Sequence, residues 1–394
     1  MIDKSKKTNK YRLKDCCIVI TDGDHQPPPK VDKGIPFITI TNITNNNEID
    51  FNDVMYVPQD YYNKIANERK VRKNDILYSV VGSYGTAVMI DYEKEFVFQR
   101  HIAMIRPNPD IILPKYLYHL MCSKSFYKKA EKMAVGAAQK TISLDALRNM
   151  KIDIPCLENQ KEIVDVIDML EQYQVLISKL VLESINKKKW LQRKLMLGEV
   201  RLPGYTKEWK KSSLGMVLTE RKEYAIKMDG YEHVTLSKEG ITPKCGRYDR
   251  EHLVKSDDKK YKVTYLNDIC FNPANIKFGV ICKNSYGTAM FSPIYVTLEV
   301  NDGYNADFMT QYVTRLDFIN AARKYEEGTV YERMAVKVDD FLRLEVMLPE
   351  IEEQVEIAKM LDLADRETCL LQKKLNFVKR EKEIVMQLLL GGII

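Results

Sequence analysis

The amino-acid sequence predicts an α+β (mixed α/β) protein that consists of two similar halves. The first observation is a repeat, because IPCLENQKEIVDVID at residues 154–168 returns as LPEIEEQVEIAKMLD at residues 348–362. The second is that each copy opens a long stretch of helical periodicity. The third is that β-branched and aromatic runs, broken by Gly, Pro and Asn, precede both stretches. An internal duplication is the simplest explanation of this arrangement.

The repeat keeps a register close to half of the 394-residue chain. Pro155 and Pro349 lie 194 residues apart. Two further pairs have a separation of 193, namely Asn-Asp-Ile at residues 74–76 and 267–269, and KLMLG at 194–198 with QLLLG at 387–391. One further identity breaks the register, since SYGTA stands at residues 83–87 and again at 285–289, a separation of 202. We therefore interpret the SYGTA identity as coincidental.

Two long helices are predicted, at residues 158–198 and 351–390. Both stretches contain few Gly or Pro residues and many good helix formers, and Gly198 and Gly391 mark their ends. Their apolar positions step mostly by three and four residues, the seam of a coiled coil. The predicted seam consists of Ile163, Ile167, Leu170, Tyr173, Ile177, Leu180, Ser184 and Leu191 in the first helix, and of Ile357, Leu361, Ala364, Leu371, Leu375, Val378, Val385 and Leu389 in the second. Because neither helix can bury such a stripe alone, we expect them to pack on each other.

The chain is expected to fall into four segments. They are a first globular domain at residues 1–155, a first long spacer helix at 156–201, a linker with a second globular domain at 202–348, and a second long spacer helix at 349–394. Both globular domains combine predicted strands with a helical stretch, at residues 114–133 in the first and 305–325 in the second.

Composition indicates a chain without a membrane segment. No run of about 18 uncharged apolar residues occurs, and the start MIDKSKKTNKYRLKD lacks the apolar part of a signal peptide. The eight cysteines show no C-x-x-C spacing, which favours reduced structural thiols. The net charge of +6 permits a polyanionic partner without requiring one. We therefore expect a soluble, cytoplasmic protein.

Motifs of catalysis are missing from the sequence. It contains no G-x-x-x-x-G-K-[ST], H-E-x-x-H, G-x-S-x-G or G-x-G-x-x-G motif. NPAN at residues 272–275 lacks the second proline and the aromatic residue of an adenine methyltransferase site. In the nuclease-like segment at residues 58–70 the Pro and the Asp are not adjacent, and its Glu-x-Lys is a common tripeptide. The five histidines show no metal-ligand spacing. We therefore predict a chain that binds without catalysing, with no metal or cofactor of its own.

Basic and aromatic residues form two clusters, one in each half. The first comprises Lys64, Arg69, Lys70, Arg72 and Lys73, the second Lys244, Arg247, Arg250, Lys259 and Lys260, and tyrosines that include Tyr84, Tyr248 and Tyr331 lie nearby in the sequence. Lys and Arg neutralise phosphates, while Arg, Gln and Asn also pair with base edges. A solvated surface is the simpler interpretation of any one basic run. In duplicate domains joined by a rigid spacer, however, such clusters indicate a reader of two DNA half-sites.

The order and spacing of several motifs resemble the specificity subunit of type I restriction-modification enzymes. Both helix starts carry [LI]-P-x-x-x-x-Q, with Gln160 and Gln354 five residues after the prolines. The other matching segments are TDGDH at residues 21–25, GS at 82–83, QRH at 99–101, QK at 139–140, LMLGEVRLPG at 195–204 and Trp209, and residues 328–334 take the place of the QK segment in the second half. No single motif is specific, but the resemblance extends over essentially the full chain.

This resemblance implies two target-recognition domains that each bind one part of a split double-stranded DNA sequence. It implies an internal pseudo-two-fold repeat whose two antiparallel helices form a coiled-coil spacer and dock two methyltransferase subunits. S-adenosylmethionine would then belong to the methyltransferase partner, and ATP and Mg to the restriction and translocase subunits. The DNA-binding residues that we predict are Arg69, Lys70, Arg72, Lys73, Gly82, Ser83, Tyr84, Gln99, Arg100, Gln139, Lys140, Lys244, Arg247, Tyr248, Lys259, Lys260, Tyr331, Arg333 and Lys337. The alternative is a coiled-coil protein-interaction scaffold, which would prefer no DNA duplex over another.

Overall fold

The computed structural model describes residues 8–136, 139–226, 230–238, 240–244, 260–327 and 334–391. The chain forms two compact units, one of Met1–Ser178 with Lys373–Ile394 and the other of Lys179–Gln372. Each unit therefore contains part of both long helices, whereas the sequence-based boundaries set the helices apart as segments of their own. Those boundaries stay a prediction. Among the described residues no helix is long and apolar enough to cross a membrane.

The first unit is built around a four-stranded antiparallel sheet of order β2-β8-β5-β6. Its strands are β1 (Asn9–Arg12), β2 (Cys17–Asp22), β3 (Ile35–Ile38), β4 (Met55–Val57), β5 (Ile76–Ser79), β6 (Ala87–Met89), β7 (Val97–Phe98), β8 (Ile102–Pro107) and β9 (Lys151–Ile154). Its helices are α1 (Gln59–Lys64), α2 (Pro114–Cys122), α3 (Lys124–Met133), α4 (Leu144–Arg148), the first part of α5 (Leu157–Met196) and the last part of α10 (Ile351–Leu390). A second sheet has the order β4-β3-β7, and β1 pairs with β9.

The second unit contains a four-stranded antiparallel sheet of order β11-β19-β16-β17. Its strands are β10 (Lys210–Ser213), β11 (Leu218–Glu220), β12 (Tyr224–Ala225), β13 (Val234–Ser237), β14 (Gly240–Pro243), β15 (Tyr261–Thr264), β16 (Ile269–Phe271), β17 (Ile281–Lys283), β18 (Ala289–Phe291), β19 (Val296–Val300), β20 (Glu326–Glu327), β21 (Ala335–Val336) and β22 (Glu345–Leu348). Its helices are the last part of α5, α6 (Leu214–Val217), α7 (Ala306–Val313), α8 (Leu316–Arg323), α9 (Val338–Leu342) and the first part of α10 (Ile351–Leu390).

The two four-stranded sheets confirm the duplication. Matched in chain order, β2, β5, β6 and β8 correspond to β11, β16, β17 and β19, and the strands then lie in the same order in both sheets. The SYGTA identity falls outside this correspondence. Ala87 begins β6, which pairs with β5, whereas Ala289 begins β18, which pairs with β15 in a three-stranded sheet. The interpretation of SYGTA as coincidental is therefore confirmed.

The repeated glutamine at the start of each long helix has a structural role. Gln160 is fully buried, and its Oε1 accepts a hydrogen bond from Leu113 N at 2.8 Å. Its Nε2 donates to the carbonyl oxygens of Ile111 and Pro155 at 3.0 and 2.9 Å. In this way one side chain satisfies backbone groups at the start of α2 and at the start of α5, which otherwise lack partners inside their helices.

Gln354 repeats this arrangement in the second unit. Its Oε1 accepts from Asn305 N at 3.0 Å, directly before α7, and its Nε2 donates to Pro349 O at 2.9 Å. The motif therefore marks the junction of a long helix with the globular part of its own unit.

The repeated Asn-Asp-Ile marks a second shared junction. Asn74 and Asn267 both adopt φ of 72°, a left-handed conformation that asparagine tolerates. The aspartate that follows each is buried and pairs with an arginine through two hydrogen bonds. The arginine differs, since Arg106 lies on β8 in the first unit and Arg221 follows β11 in the second.

The predicted long helices are confirmed within two residues at each end, as Leu157–Met196 and Ile351–Leu390. The seam of the second helix is also confirmed, because its predicted positions are buried or half-buried. Two positions of the first seam are wrong. Tyr173 and Leu180 are 38% and 39% exposed, and Val181 is buried instead. Steps of three and four fit two adjacent helical stripes equally well, so periodicity alone could not select the buried one.

Ion pairs between the two long helices occur inside each unit. In the first unit Lys382 of α10 pairs with Glu171 of α5 at 2.8 Å. In the second unit the helices exchange roles, and Lys188 of α5 pairs with Asp365 of α10. Lys188 and Lys382 lie 194 residues apart, as do Glu171 and Asp365, so the repeat extends to this contact.

Each predicted helical stretch in the globular parts is divided into two helices. Ser123 ends α2 and begins α3, where its Oγ accepts a hydrogen bond from Phe126 N at 3.2 Å. In the second unit the break lies at Thr314 and Arg315, between α7 and α8. Ser is a preferred N-cap because its side chain satisfies a free N–H of the first helical turn.

Candidate nucleic-acid interface

An open cleft of about 500 Å³ lies on the first unit. Four loops line it, and they are far apart in the sequence. They contribute Thr39, Ile40 and Thr41 after β3, Val81, Gly82 and Ser83 between β5 and β6, Gln99 and His101 between β7 and β8, and Gln139 before α4. Four of the predicted DNA-binding residues, Gly82, Ser83, Gln99 and Gln139, therefore meet in one place.

The loop between β5 and β6 is held by hydrogen bonds to the Ser79 side chain and to the segment of Lys140. Ser79 Oγ donates a hydrogen bond to Ser83 O at 2.8 Å and accepts one from Thr86 N at 2.9 Å. Gly82 has φ of 70°, and its N–H donates to Lys140 O at 3.0 Å. This last bond joins the loop to the segment that carries Gln139, so the two walls of the cleft are connected.

The TDGDH motif at residues 21–25 packs against the loop that carries Gln99 and His101. A Cβ on Gly23 would lie 1.9 Å from Phe98 O, so only glycine allows the two backbones to approach this closely. Asp24 N donates to Phe98 O at 2.9 Å, and Arg100 N donates to Asp24 O at 3.1 Å. These contacts hold the loop at residues 99–101 that carries Gln99 and His101.

Gln99 and His101 are hydrogen-bonded to each other through Gln99 Nε2 and His101 Nδ1. Burial, together with the neighbouring positive charge of Arg100, lowers the pKa of His101 below its ordinary value. The backbone N–H of Gln99 donates to Ile38 O at 3.0 Å, and His101 O accepts from Val80 N at 2.9 Å. The pair is therefore anchored on both sides of the cleft.

The basic cluster of the first unit divides between structural and exposed residues. Arg69 pairs with Asp24 at 3.1 Å and donates to Asp22 O at 3.3 Å, which places it in the support of the TDGDH loop. The Lys70 ammonium lies over the Tyr62 ring, 4.7 Å from its centroid. Lys73 is exposed, and so is Arg72, which also bonds Asn67 O at 3.4 Å.

Three predicted residues flank the cleft. Arg100 and Lys140 are exposed neighbours of Gln99 and Gln139. Tyr84 stacks on Tyr127 with 5.8 Å between ring centroids. The exposed cations are suitable for phosphate contacts at the margin of the cleft.

The second unit places its described candidates on separate elements. Lys244 follows β14, Lys260 precedes β15, and Lys337 precedes α9, where its ammonium pairs with Glu327 at 2.5 Å. The hydrogen bond that Lys337 donates to Glu327 raises the pKa of Lys337. The remaining candidates lie outside the described residues, namely Arg247, Tyr248, Lys259, Tyr331 and Arg333.

One group with metal-ligand side chains occurs among the residues that the structure describes. His119 of α2 lies near Asp168 and Glu171 of α5, with ligand atoms within 4.8 Å of one another. Lys115 already pairs with Asp168 at 2.6 Å, and Lys382 with Glu171. Two ammonium groups thus balance the two carboxylates, which makes the group a polar helix junction rather than a cation site.

The second unit has a related junction without histidine. Gln311 is the sixth residue of α7, as His119 is of α2, and it donates to Asp365 at 3.1 Å.

Five residues that line the cleft were not among the predicted DNA-binding residues, namely Thr39, Ile40, Thr41, Val81 and His101. Thr39 and Thr41 lie in a stretch predicted as strand, and their hydroxyls are 2.7 Å apart in a turn that Asn42 closes. His101 belongs to the matching QRH segment, but it was not predicted to bind DNA. A polar Thr-x-Thr directly after an apolar run is the only local signal that was available for the threonines.

The fold and cleft define a class, that of duplicated α+β proteins in which each unit is completed by part of two long helices. Comparisons with known proteins show which family this chain resembles. Residues 6–187 match the family described as type I restriction modification DNA specificity domain. The putative type I restriction enzyme MjaX specificity subunit of Methanocaldococcus jannaschii is 24% identical, over 96% of this chain and 92% of its own length. The EcoBI specificity subunit of Escherichia coli is 26% identical over 51% of this chain and 42% of its own length.

Solved structures share the fold over the full chain. The S subunit of a type I restriction-modification system from M. genitalium has a TM-score of 0.56 at 13% identity, with 99% of this chain and 97% of that chain covered. The HsdS subunit from Thermoanaerobacter tengcongensis has a TM-score of 0.57 at 16% identity, with both chains covered completely. Residues 6–187 thus match the family of type I specificity domains, and the chain as a whole is similar to type I specificity subunits.

Proposed function

We propose that this chain reads a bipartite double-stranded DNA sequence, one part with each unit, and performs no catalysis itself. The observation that carries the proposal is the cleft, where Gly82, Ser83, Gln99 and Gln139 meet although they lie on three separate loops. Amide and hydroxyl groups are the side chains that pair with base edges in the major groove. Exposed Arg100 and Lys140 beside the cleft supply phosphate contacts, which position the protein on the duplex.

The long helices supply the surface for protein partners in this proposal. Inside each unit they expose large apolar side chains, which a monomeric protein would ordinarily bury or disperse. In the first unit these include Met169, Tyr173, Leu176, Phe377, Ile384 and Leu388, and in the second Leu180, Leu182, Trp190, Met360, Leu363 and Leu370. Two methyltransferase subunits, which would carry S-adenosylmethionine, are the partners that fit a duplicated surface. Restriction and translocase subunits, which would use ATP and Mg, complete the assembly.

The test is to express this chain with the methyltransferase subunit of its own genomic neighbourhood and to map N6-methyladenine in host DNA by single-molecule sequencing. A split motif with a constant gap is expected. Replacing residues 209–348 with the corresponding segment of another family member should then change one part of the motif only. Methylation without any sequence preference, in a stable complex, would refute the proposal and favour the scaffold.

A further inference from the structure

The loop between β16 and β17, at residues 272–280, occupies the same place in the second unit as the cleft loop between β5 and β6 in the first. Ser79 N donates a hydrogen bond to Thr86 O at 2.9 Å, and Asn272 N donates to Val280 O at 3.0 Å. Ser79 and Asn272 lie 193 residues apart, whereas Thr86 and Val280 lie 194 apart, so the second loop is one residue longer. The two loops are therefore equivalent in the duplication.

Both loops are also joined to the same later segment of their own unit. In the first unit Ile142 N donates to Val80 O at 2.8 Å, and in the second unit Val336 N donates to Pro273 O at 3.3 Å. Ile142 and Val336 lie 194 residues apart, so this contact belongs to the repeat as well. The β16–β17 loop thus corresponds to one wall of the cleft, although none of the predicted DNA-binding residues lies on it.

A buried polar residue at the base of each loop shapes the turn. Ser79 donates to Ser83 O in the first unit, and Asn272 Oδ1 accepts a hydrogen bond from Ala274 N at 3.1 Å in the second. The side chain of Asn272 is therefore used inside the protein. Asn275 differs, because it is half-buried and its side-chain amide has no hydrogen-bond partner among the residues that the structure describes. Its donors and acceptors remain for a ligand.

Two lysines and an aromatic ring lie on or beside the same loop. Lys277 and Lys238 are exposed, and neither forms an ion pair with an acidic side chain in the described part of the chain. The Lys277 ammonium lies 5.1 Å from the ring centroid of Phe278, which is 62% exposed. Lys238 Cε lies 4.0 Å from the position that a Cβ on Gly279 would take. Lysines contact phosphates, and an exposed phenylalanine can contact a thymine methyl group.

We infer that the β16–β17 loop reads the second part of the DNA target, that Asn275 determines specificity for one base pair there, and that Lys277 and Lys238 contact the flanking phosphates. The inference rests on the proposed function and adds to it the place of the second reading site. A free amide pairs with a base edge in the major groove, and unpaired lysines fix the protein on the duplex. The loop therefore carries both kinds of contact that sequence reading requires.

The experiment uses the purified complex of the full chain with its methyltransferase partner, and duplexes that carry the mapped target. Every position of both half-sites is substituted in turn by each of the four base pairs, and dissociation constants are measured at one salt concentration. The native complex should discriminate by roughly 5- to 150-fold at the position that Asn275 reads, the range expected of a good bidentate contact. Asn275→Ala should reduce this to about threefold or less at that position only. Asn275→Asp, whose carboxylate only accepts, should change the preferred base pair at the same position.

Lys277→Ala should act without regard to sequence. The loss of one phosphate contact weakens the binding of every duplex by the same factor and reduces the slope of log Kd against log salt concentration by about 0.9. Lys211→Ala is the matched control, because Lys211 belongs to the same unit, is 62% exposed and already pairs with Glu345 at 2.7 Å. The salt dependence of this variant should equal that of the native complex.

Discrimination in the first half-site should be unchanged in all variants, which shows that each complex is assembled. The inference is overturned if both Asn275 variants keep native discrimination throughout the second half-site, or if both lose it at every position there, as a structural residue would. It is also overturned if Lys277→Ala weakens binding of the methyltransferase and leaves DNA affinity unchanged, since the loop would then be a protein-docking surface. Failure of the proposed function differs from these results, because the native complex itself would then show no sequence preference.

Discussion

The buried glutamine at the second helix start leads to a quantitative prediction for Gln354→Ala. The substitution removes the acceptor for Asn305 N and the donor for Pro349 O, and both backbone groups lie where water cannot replace the lost partner easily. An unsatisfied buried group costs about 1–3 kcal/mol. We therefore expect the second unit to lose about 2–4 kcal/mol of unfolding free energy, which corresponds to a shift of about 1–2 M in the urea midpoint.

Tryptophan fluorescence provides an assay restricted to this unit. Both tryptophans of the chain, Trp190 and Trp209, belong to the second unit. The indole N–H of Trp209 donates to Glu353 Oε2 at 3.3 Å, directly beside the altered residue. Gln372→Ala is the matched control, because Gln372 lies on the same helix but is exposed. The unfolding free energy of this variant should change by no more than about 0.5 kcal/mol. Equal shifts for the two variants would refute a structural role of the repeated glutamine.

Three further predictions concern the first unit. Burial lowers the pKa of His119 in the folded protein below the unfolded value of about 6.5. The neutral imidazole therefore contributes its full stability above about pH 6.5, and this contribution is lost as the pH falls through the folded pKa. His119→Gln should flatten the pH dependence of the unfolding free energy in urea titrations between about pH 5 and 7. Asp75→Asn leaves the nearly buried Arg106 guanidinium without its counter-charge and should cost about 3–5 kcal/mol, visible as faster hydrogen exchange in β5 and β8 with unchanged exchange in the second unit. Gly23→Ala should displace the loop at residues 99–101 and abolish discrimination in the first half-site only; retained discrimination would contradict the close backbone approach.

Local patterns in the sequence were sufficient for the duplication, both long helices and their ends. These features depend on short-range chemistry: good helix formers without interruption, glycines at the ends, and a repeated proline and glutamine at the start. The same patterns could not select the buried stripe of the first helix, where Val181 rather than Leu180 is buried. That choice depends on the partner surface, which lies far away in the chain.

In the cleft, too, the sequence predicted single residues but not how they come together. The sequence motifs identified Gly82, Ser83, Gln99 and Gln139 individually, and left open whether they meet. The strand order β2-β8-β5-β6, together with the bond from Gly82 N to Lys140 O, brings them to one cleft and adds threonines that no motif marked.

Arg69 shows the converse, since the sequence placed it among the phosphate-contacting candidates and the fold pairs it with Asp24. Residue type and spacing thus define which groups are available. Only the tertiary structure decides which of them are used up inside the protein and which remain for a ligand, because hydrogen bonds and ion pairs form between side chains that chain folding brings within about 3 Å.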